Sequence, residues 1–259
     1  MGKEGTVLKT TDGGGIWTAQ SSGISDNLNA VYFSDANTGY AVGDFGVIIK
    51  TIDGGSNWTT LSSGTINWLN SVTIRGSSCF ATGNHGSLLK TTDGGTTWTE
   101  TGNTTSGLNS VFFIDADTGY AVGYSDTNGI ILKTTNGGAG WTLTKTGNNL
   151  ILNSVYFIDS DTGYIVGNNG AMLKTTNMGQ TWKAQNSGTV NELNSICFAG
   201  NAGYAVGFNG ILVQKSENDT LWSKQVTGVN NYLYSVFFPD KSNGYAAGAN
   251  GTILKLKKE

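Results

Sequence analysis

One four-part phrase recurs along this chain about every 40 residues, and it constrains the fold more than any other feature. Its parts are Leu-Asn-Ser-Val-x-Phe, Gly-Tyr-Ala-Val-Gly, Ile-x-Lys-Thr and Asp-Gly-Gly-x-x-Trp, with substitutions between copies. The leucine that opens the first part stands at Leu28, Leu69, Leu108, Leu152, Leu193 and Leu233. Because each copy supplies four short apolar runs, the chain is predicted to repeat one small unit of four strands.

Residues 152–187 illustrate how one copy becomes one unit. Polar turn residues separate its apolar runs, and the pair Asn169-Gly170 favours a type I′ turn in the middle hairpin. The four strands, named A to D, are predicted over residues 152–157, 164–166, 171–174 and 182–185. A single sheet of this kind cannot bury both of its faces, so neighbouring sheets must stack against each other.

The repeat predicts an all-β fold, a six-bladed β-propeller of four-stranded antiparallel blades, as a single domain over residues 1–259. Boundaries between repeats are expected near residues 27, 68, 107, 151, 192 and 232. The strand C segment occurs seven times, from Val7–Lys9 to Ile253–Lys255. We therefore expect a composite blade from both chain ends to close the propeller, with one terminal C strand left over. That strand could fray or pair with an edge strand of another copy, and the sequence leaves both open.

Between strands C and D each repeat carries a turn of the form Ser/Thr-x-Asp-x-Gly-x-x-Trp, the Asp-box. The acidic position holds Asp12, Asp53 and Asp93, and then Asn136 and Asn177. The tryptophans are Trp17, Trp58, Trp98, Trp141, Trp182 and Trp222, and the last copy keeps little else of the box. A short Asp or Asn side chain can accept hydrogen bonds from the backbone of its own turn, and the indole ring buries against the blade. We interpret these residues as structural, because six copies of one turn cannot form a single active site.

These boxes, with Gly-Tyr-Ala-Val-Gly and Lys-Thr-Thr-Asp-Gly-Gly, make the chain resemble the Asp-box (BNR) repeat propellers. Within them it resembles above all the photosystem II stability/assembly factor-like family, which includes secreted bacterial relatives. The resemblance implies a seven-bladed, chaperone-like binding protein that uses an arginine-rich patch in the plant and cyanobacterial members. This chain has one arginine, Arg75, so that patch cannot be carried over.

Composition and charge exclude several classes of function. The net charge is −3, and the lysines are spread at one per repeat, which argues against a nucleic-acid surface. No apolar segment is long enough to insert into a membrane. Cys79 and Cys197 lie in distant repeats and are predicted to be small buried residues rather than a disulfide.

The chain enters its repeat in mid-unit without a signal peptide, so we expect a mature or excised fragment. Its low charge suggests an extracellular, cell-surface or periplasmic location.

The sequence supplies no catalytic, metal or cofactor set. A sialidase would need three arginines to hold its substrate carboxylate, and this chain has one. His85 is the only histidine and falls in a turn between strands B and C, so we predict an exposed turn residue. The turns at Asp115 and Asp159 are predicted to be A–B hairpins, with weak calcium affinity as the alternative.

Chain direction places the B–C and D–A connections at one face, which we call the variable face because its sequences differ between repeats. It carries the candidate binding residues Phe45, Trp68, His85, Tyr124, Phe208 and Tyr232. Trp68 is the only tryptophan outside a box, and Tyr124 begins an insertion between strands B and C of its repeat. Varied aromatic loops on a repetitive scaffold are typical of binding surfaces. Alternatively, these aromatic rings only fill the mouth of the central channel.

Three functions follow from this pattern. We favour a non-catalytic binding or scaffold protein that engages a protein or glycan through the variable face. The first alternative is a glycoside hydrolase of the Asp-box propeller type, with its two carboxylates drawn from Asp26, Asp44, Asp126 and Glu192. The second alternative is a structural subunit of a surface assembly, which self-associates through a terminal strand.

Overall fold

The computed structural model describes residues 1–126 and 128–257, and within them regular structure consists of β-strands and single 3₁₀ turns. The described residues divide into two compact units. The first unit contains residues 1–126 and 131–144, and the second contains residues 128–130 and 145–257. None of the described helical segments has the length and apolar character that a bilayer crossing requires.

Five four-stranded antiparallel sheets follow one another in sequence. In the first half of the chain their strands are β3 Leu28–Phe33, β4 Gly39–Gly43, β5 Ile48–Thr51 and β6 Thr59–Leu61; β7 Leu69–Arg75, β8 Ser78–Gly83, β9 Leu88–Thr91 and β10 Thr99–Glu100; β11 Gly107–Phe113, β12 Gly119–Ser125, β13 Asn128–Thr134 and β14 Thr142–Asn148. In the second half they are β15 Leu152–Phe157, β16 Thr162–Gly167, β17 Met172–Thr176 and β18 Lys183–Ala184; β19 Leu193–Ala199, β20 Ala202–Gly207, β21 Leu212–Lys215 and β22 Ser223–Gln225. The predicted six-bladed β-propeller fold of four-stranded antiparallel sheets is confirmed.

The turn between strands B and C is the type I′ turn that the sequence predicts. In the sheet β15–β18, Asn169 has φ 53° and ψ 30°, and Gly170 has φ 68°. The Ala171 N–H closes the turn by donating to the Asn168 carbonyl at 2.9 Å. Two successive residues with positive φ match the twist of the flanking strands, which is why Asn-Gly recurs here.

The two ends of the chain form smaller sheets than the prediction requires. β1 (Val7–Lys9) and β2 (Thr18–Gln20) pair in a two-stranded sheet. β23 (Leu233–Phe237), β24 (Asn243–Gly248) and β25 (Ile253–Lys257) form a three-stranded sheet. The predicted composite blade would unite these strands in one sheet, and in the described residues they belong to two. The reason is that β2 pairs with β1 rather than with β25, while β25 takes the third position beside β24.

The apolar residues of successive sheets pack together in each unit. In the first unit, Tyr40 and Val42 of β4 pack with Leu69 and Val72 of β7. In the second unit, residues of β19 and β20 pack in the same manner with β23. The two cysteines are free and buried, as predicted, and burial raises the pKa of the Cys197 thiol to about 12.

Within each unit, hydrogen bonds from strand A join successive sheets and explain why Leu-Asn-Ser-Val recurs. The Asn amide donates to the Leu carbonyl of the following sheet at 2.9 to 3.0 Å; the pairs are Asn29–Leu69, Asn70–Leu108, Asn153–Leu193 and Asn194–Leu233. The Ser hydroxyl oxygen accepts a backbone N–H of the following strand A, as Ser195 does from Val236 at 3.1 Å. These bonds fix the position of one repeat on the next.

Candidate functional site

Hydrogen bonds place the B–C turns beside the residues that precede strand A. In the first unit, the Asn84 N–H donates to the Trp68 carbonyl at 2.9 Å. In the second unit, the Phe208 N–H donates to the Glu192 carbonyl at 2.9 Å, and the Ala249 N–H donates to the Tyr232 carbonyl at 2.8 Å. In both units, B–C turns therefore lie beside the residues before strand A, on the face that the sequence analysis called variable.

Phe45 and Trp68 form an aromatic pair on the variable face of the first unit. Their ring centroids lie 6.3 Å apart and the rings are nearly perpendicular, an edge-to-face arrangement. Phe45 is 62% exposed and Trp68 is 47% exposed. Phe45 adopts φ 54° in its B–C turn. Its ring contacts Trp68, the residue before strand A of the next repeat.

A shallow depression of about 590 Å³ adjoins this pair. It is lined by Phe45, Val47, Leu61, Thr65 and Ile66, together with glycine, serine and threonine residues. No charged side chain belongs to this lining. Ile66 is strongly exposed, so an apolar surface extends from the depression.

Phe208 and Tyr232 form the corresponding pair in the second unit. Their rings stack with centroids 4.2 Å apart, and Tyr232 remains exposed. Phe208 occupies the first position of its turn, and Asn209 takes the left-handed position with φ 55°. Phe208 therefore stands one position earlier in its turn than Phe45 and His85 do in theirs. Both pairs nevertheless join a B–C turn to the residue that precedes the next strand A.

The other two candidates are His85 and Tyr124. His85 is exposed, with φ 55° in its B–C turn, as the sequence predicts for a turn residue. Tyr124 lies in β12 opposite Gly107, so the predicted loop insertion instead lengthens the hairpin. The reason is that Tyr124 and Ser125 extend strand B and Asn128 extends strand C; residue 127 lies outside the described residues.

The Asp-box side chains are held within their own turns. Asp53 Oδ1 accepts the Thr51 hydroxyl and the Asn57 N–H at 2.9 Å, and its Oδ2 accepts the Asn57 amide at 2.7 Å. These bonds lower the pKa of Asp53 to about 2. Asn136 accepts the Thr134 hydroxyl and the Gly140 N–H in the same way, so the amide oxygen replaces the carboxylate.

Lysines of strand C, among them Lys50 and Lys90, have a structural role that sequence reasoning missed. The Lys50 ammonium donates to the Gly94 carbonyl in the next Asp-box at 2.9 Å and lies 5.3 Å from the Tyr40 ring centroid. The Lys90 ammonium donates to the Gly137 carbonyl at 2.8 Å. The regular spacing of one lysine per repeat was the available signal for these contacts between repeats.

Two of the four carboxylates considered for hydrolysis, Asp44 and Glu192, are engaged in polar contacts of the repeat. Asp44 is buried, and its two oxygens each accept an amide N–H at 2.9 Å, from Asn27 and Asn29. Glu192 Oε1 accepts the Asn153 amide at 2.9 Å. Among the described residues, no three His, Cys, Asp or Glu side chains are grouped so as to hold a metal ion.

Comparison with protein families gives one match over most of the chain. The model described as photosynthesis system II assembly factor YCF48 matches residues 16–142, 101–184 and 138–226. No curated protein matches the sequence.

Solved structures with similar folds include members of two groups. YCF48 from Cyanidioschyzon merolae has a TM-score of 0.80 at 19% identity, over 98% of this chain and 89% of that chain. A structure of YCF48 bound to D1 peptide has a TM-score of 0.52 at 16% identity, over 90% and 92%. The GH74 xyloglucanase from Xanthomonas campestris has a TM-score of 0.75 at 13% identity, over 99% of this chain and 50% of that chain. At these identities the likeness is one of fold.

Proposed function

Because this chain belongs to the family of the photosynthesis system II assembly factor YCF48, we propose that it is a non-catalytic protein that binds a segment of another protein on its variable face. The observation that carries the proposal is the aromatic pair Phe45–Trp68 and its counterpart Phe208–Tyr232. Both pairs stand at the junction between successive repeats. Exposed aromatic rings that are already fixed against each other offer apolar area to a partner at little cost in side-chain entropy.

The first unit supplies the better-formed contact surface. Phe45, Ile66 and Trp68 expose apolar area beside a depression whose lining contains no charge. An uncharged lining favours a partner segment with apolar side chains, and its binding should depend little on salt. This chemistry differs from that of an arginine-rich patch, which Arg75 alone cannot form.

The structure of YCF48 bound to D1 peptide supports a protein partner over a glycan, because a protein of the same fold and family holds a peptide. The similarity to xyloglucanases supports only the fold, and it covers half of the enzyme. The glycoside hydrolase alternative therefore has no specific observation in its favour. The secreted or cell-surface location stays a prediction.

A peptide-binding experiment tests the proposal. The probes are a D1 peptide and a phage-displayed random peptide library, with binding of selected peptides measured by fluorescence anisotropy. We expect Trp68→Ala combined with Phe45→Ala to weaken binding by tenfold or more, since each hot-spot ring contributes about 1–2 kcal/mol or more. Tyr232→Ala tests the second pair.

Ile52→Ala is the matched control, because Ile52 is an exposed apolar side chain in the Asp-box turn at the other end of its sheet. Its binding should equal that of the unmodified chain. Unchanged binding in the Phe45 and Trp68 double variant, with circular dichroism showing an intact fold, would refute the proposed site.

A further inference from the structure

Strand β6 lies at an edge of the sheet β3–β6. Among the described residues its neighbour in that sheet is β5, where Leu61 lies opposite Ile48. Thr60 lies opposite Ile49. Thr59 and Thr60 are exposed. The other edge of β6 therefore faces away from the sheet and can receive a further strand.

Thr60 points its backbone polar groups out of that edge. In an antiparallel pair, residues that exchange hydrogen bonds with the neighbouring strand alternate with residues that do not. The counterparts of Leu61 in two other sheets, Thr101 and Gln185, each donate their N–H to strand C at 2.8 Å. Leu61 therefore stands at a bonded position, and the N–H and C=O of Thr60 point away from β5.

The uncharged depression of the first unit adjoins this edge. Its lining includes Thr60 and continues into the connection after β6, residues 62–66. The connection passes close to the B–C turn, since a Cβ on Gly46 would lie 2.0 Å from the Thr65 carbonyl oxygen. The Ser63 hydroxyl donates to the same oxygen at 3.1 Å. The depression therefore has fixed walls at the end of β6.

Phe45, at the rim of the depression, has an unfavourable backbone conformation for an aromatic residue. Its φ of 54° lies in the left-handed region, at the turn position that Asn169 fills with φ 53°. Asn209 and Asn250 fill the same position of their own turns with φ 55°. Asparagine is favoured in this region, and a bulky side chain is disfavoured. Because strain of this kind clusters at functional positions, the exposed Phe45 ring indicates that the surface beside it receives a ligand.

We propose that the partner segment is an extended peptide that adds to the edge of β6 as a fifth strand and places an uncharged apolar side chain in the depression. This inference rests on the proposed function and names the binding mode within it. Main-chain hydrogen bonds to Thr60 hold the peptide, while the depression selects among its alternate side chains.

An extended, uncharged segment is the partner that fits both features of this surface. The outward N–H and C=O of Thr60 pair with the main chain of a strand, whereas a helix has already bonded its own main-chain groups. A charged side chain in the depression would give up water without meeting an opposite charge in the lining. Phe45 and Trp68, both exposed, offer apolar contact to the side chains that follow.

Amide hydrogen exchange measured by NMR tests the inference. The probe is a peptide selected from the phage-displayed library and bound at saturation to the full chain. We expect the Thr60 N–H to exchange about tenfold more slowly with the peptide than without it, because it donates to the added strand. The Ala184 N–H, at the corresponding edge position of β18, is the internal control and should keep its exchange rate. Unchanged exchange at Thr60 in the bound state would overturn the inference.

Proline substitution removes this donor and spares the bonds to β5. Proline is tolerated on an edge strand where the N–H faces solvent, so Thr60→Pro should fold. It should weaken peptide binding by about tenfold, whereas Thr60→Ala keeps the N–H and should bind nearly as tightly as the unmodified chain. Ala184→Pro makes the same change in β18 and is the matched control, with binding unchanged. Circular dichroism and thermal unfolding check the fold of each variant.

The outcomes separate this inference from the proposed function. Peptide binding that depends on Phe45 and Trp68 but tolerates Thr60→Pro, with no slowing of exchange at Thr60, would leave the proposed site in place and overturn strand addition. Binding that tolerates the loss of both rings would refute the proposed function, and this inference with it. Peptides that become helical on binding, or whose binding requires charged side chains, would also overturn strand addition.

Discussion

The same phenylalanine of the repeat should contribute very differently to stability in two places. Phe113 is fully buried, stacks on Phe80 with centroids 4.0 Å apart and meets Trp141 edge-to-face at 5.9 Å. Removal of its ring leaves a cavity among these aromatic residues. Truncation of a buried Phe costs about 3–5 kcal/mol, so Phe113→Ala should lower the free energy of unfolding by that amount.

Phe33 stands at the equivalent position of the first full sheet, and it retains its edge-to-face contact with Trp58 at 6.1 Å. It is 39% exposed because the preceding sheet has two strands. Full burial of a Phe side chain is worth roughly 1.5–3 kcal/mol, so burying about three-fifths of it gives roughly 1–2 kcal/mol. Phe33→Ala should therefore cost less than half as much as Phe113→Ala.

Urea unfolding followed by tryptophan fluorescence and circular dichroism measures both losses at one low protein concentration. Coincidence of the two probes is required before either curve is converted into a free energy, because repeat proteins can unfold in steps. Equal losses for the two variants would refute the idea that the tertiary neighbours, rather than the repeat sequence, set the contribution of this residue.

Two further predictions concern the turns. Hydrogen bonds hold the pKa of Asp53 at about 2, below its ordinary value of 3.8, so its contribution to stability is present above about pH 4 and is lost as the pH falls through 2. Asp53→Asn keeps the acceptor oxygen, as Asn136 does naturally, and should reduce the drop in urea midpoint between pH 5 and pH 2; an unchanged drop would contradict the assignment. Gly170→Ala should be strongly destabilising, because φ is +68° and a Cβ would lie 2.0 Å from the Thr189 carbonyl oxygen. Gly228→Ala, with φ +74° and open space around its Cβ, is the control and should lower the melting temperature much less.

The periodicity of the sequence was enough to predict the all-β class, the strand order within each sheet and the type I′ turn. These are local properties: alternation of apolar residues makes strands, and Asn-Gly supports two successive positive φ values. The observed strand β15, Leu152–Phe157, agrees with the predicted strand A, and β16 extends the predicted strand B by residues at both ends. Candidate residues of the variable face were chosen from the repeat as aromatic residues at positions that differ between copies, and their role in binding stays a prediction.

Phe208 follows the glycine before its B–C turn directly, whereas one residue separates Phe45 from the corresponding glycine, so the sequence itself places them one position apart. Tyr124 could be assigned to a loop from the inserted residues, whereas pairing with Gly107 places it in a strand. The choice for Tyr124 depends on hydrogen bonds to another segment, which a linear pattern does not contain.

By itself the sequence determined what is repeated: the four strands of each sheet, the Asp-box turns and the polar residues that join one repeat to the next. Tertiary structure alone decided what differs between copies of one motif, namely that Phe45 meets Trp68, that Phe208 stacks on Tyr232, and that β25 stands beside β24. The physical reason is that a strand or turn forms from neighbours along the chain, whereas burial and ring contacts depend on which sheet lies opposite. Identical side chains such as Phe33 and Phe113 can therefore differ in exposure and in their contribution to the free energy of unfolding.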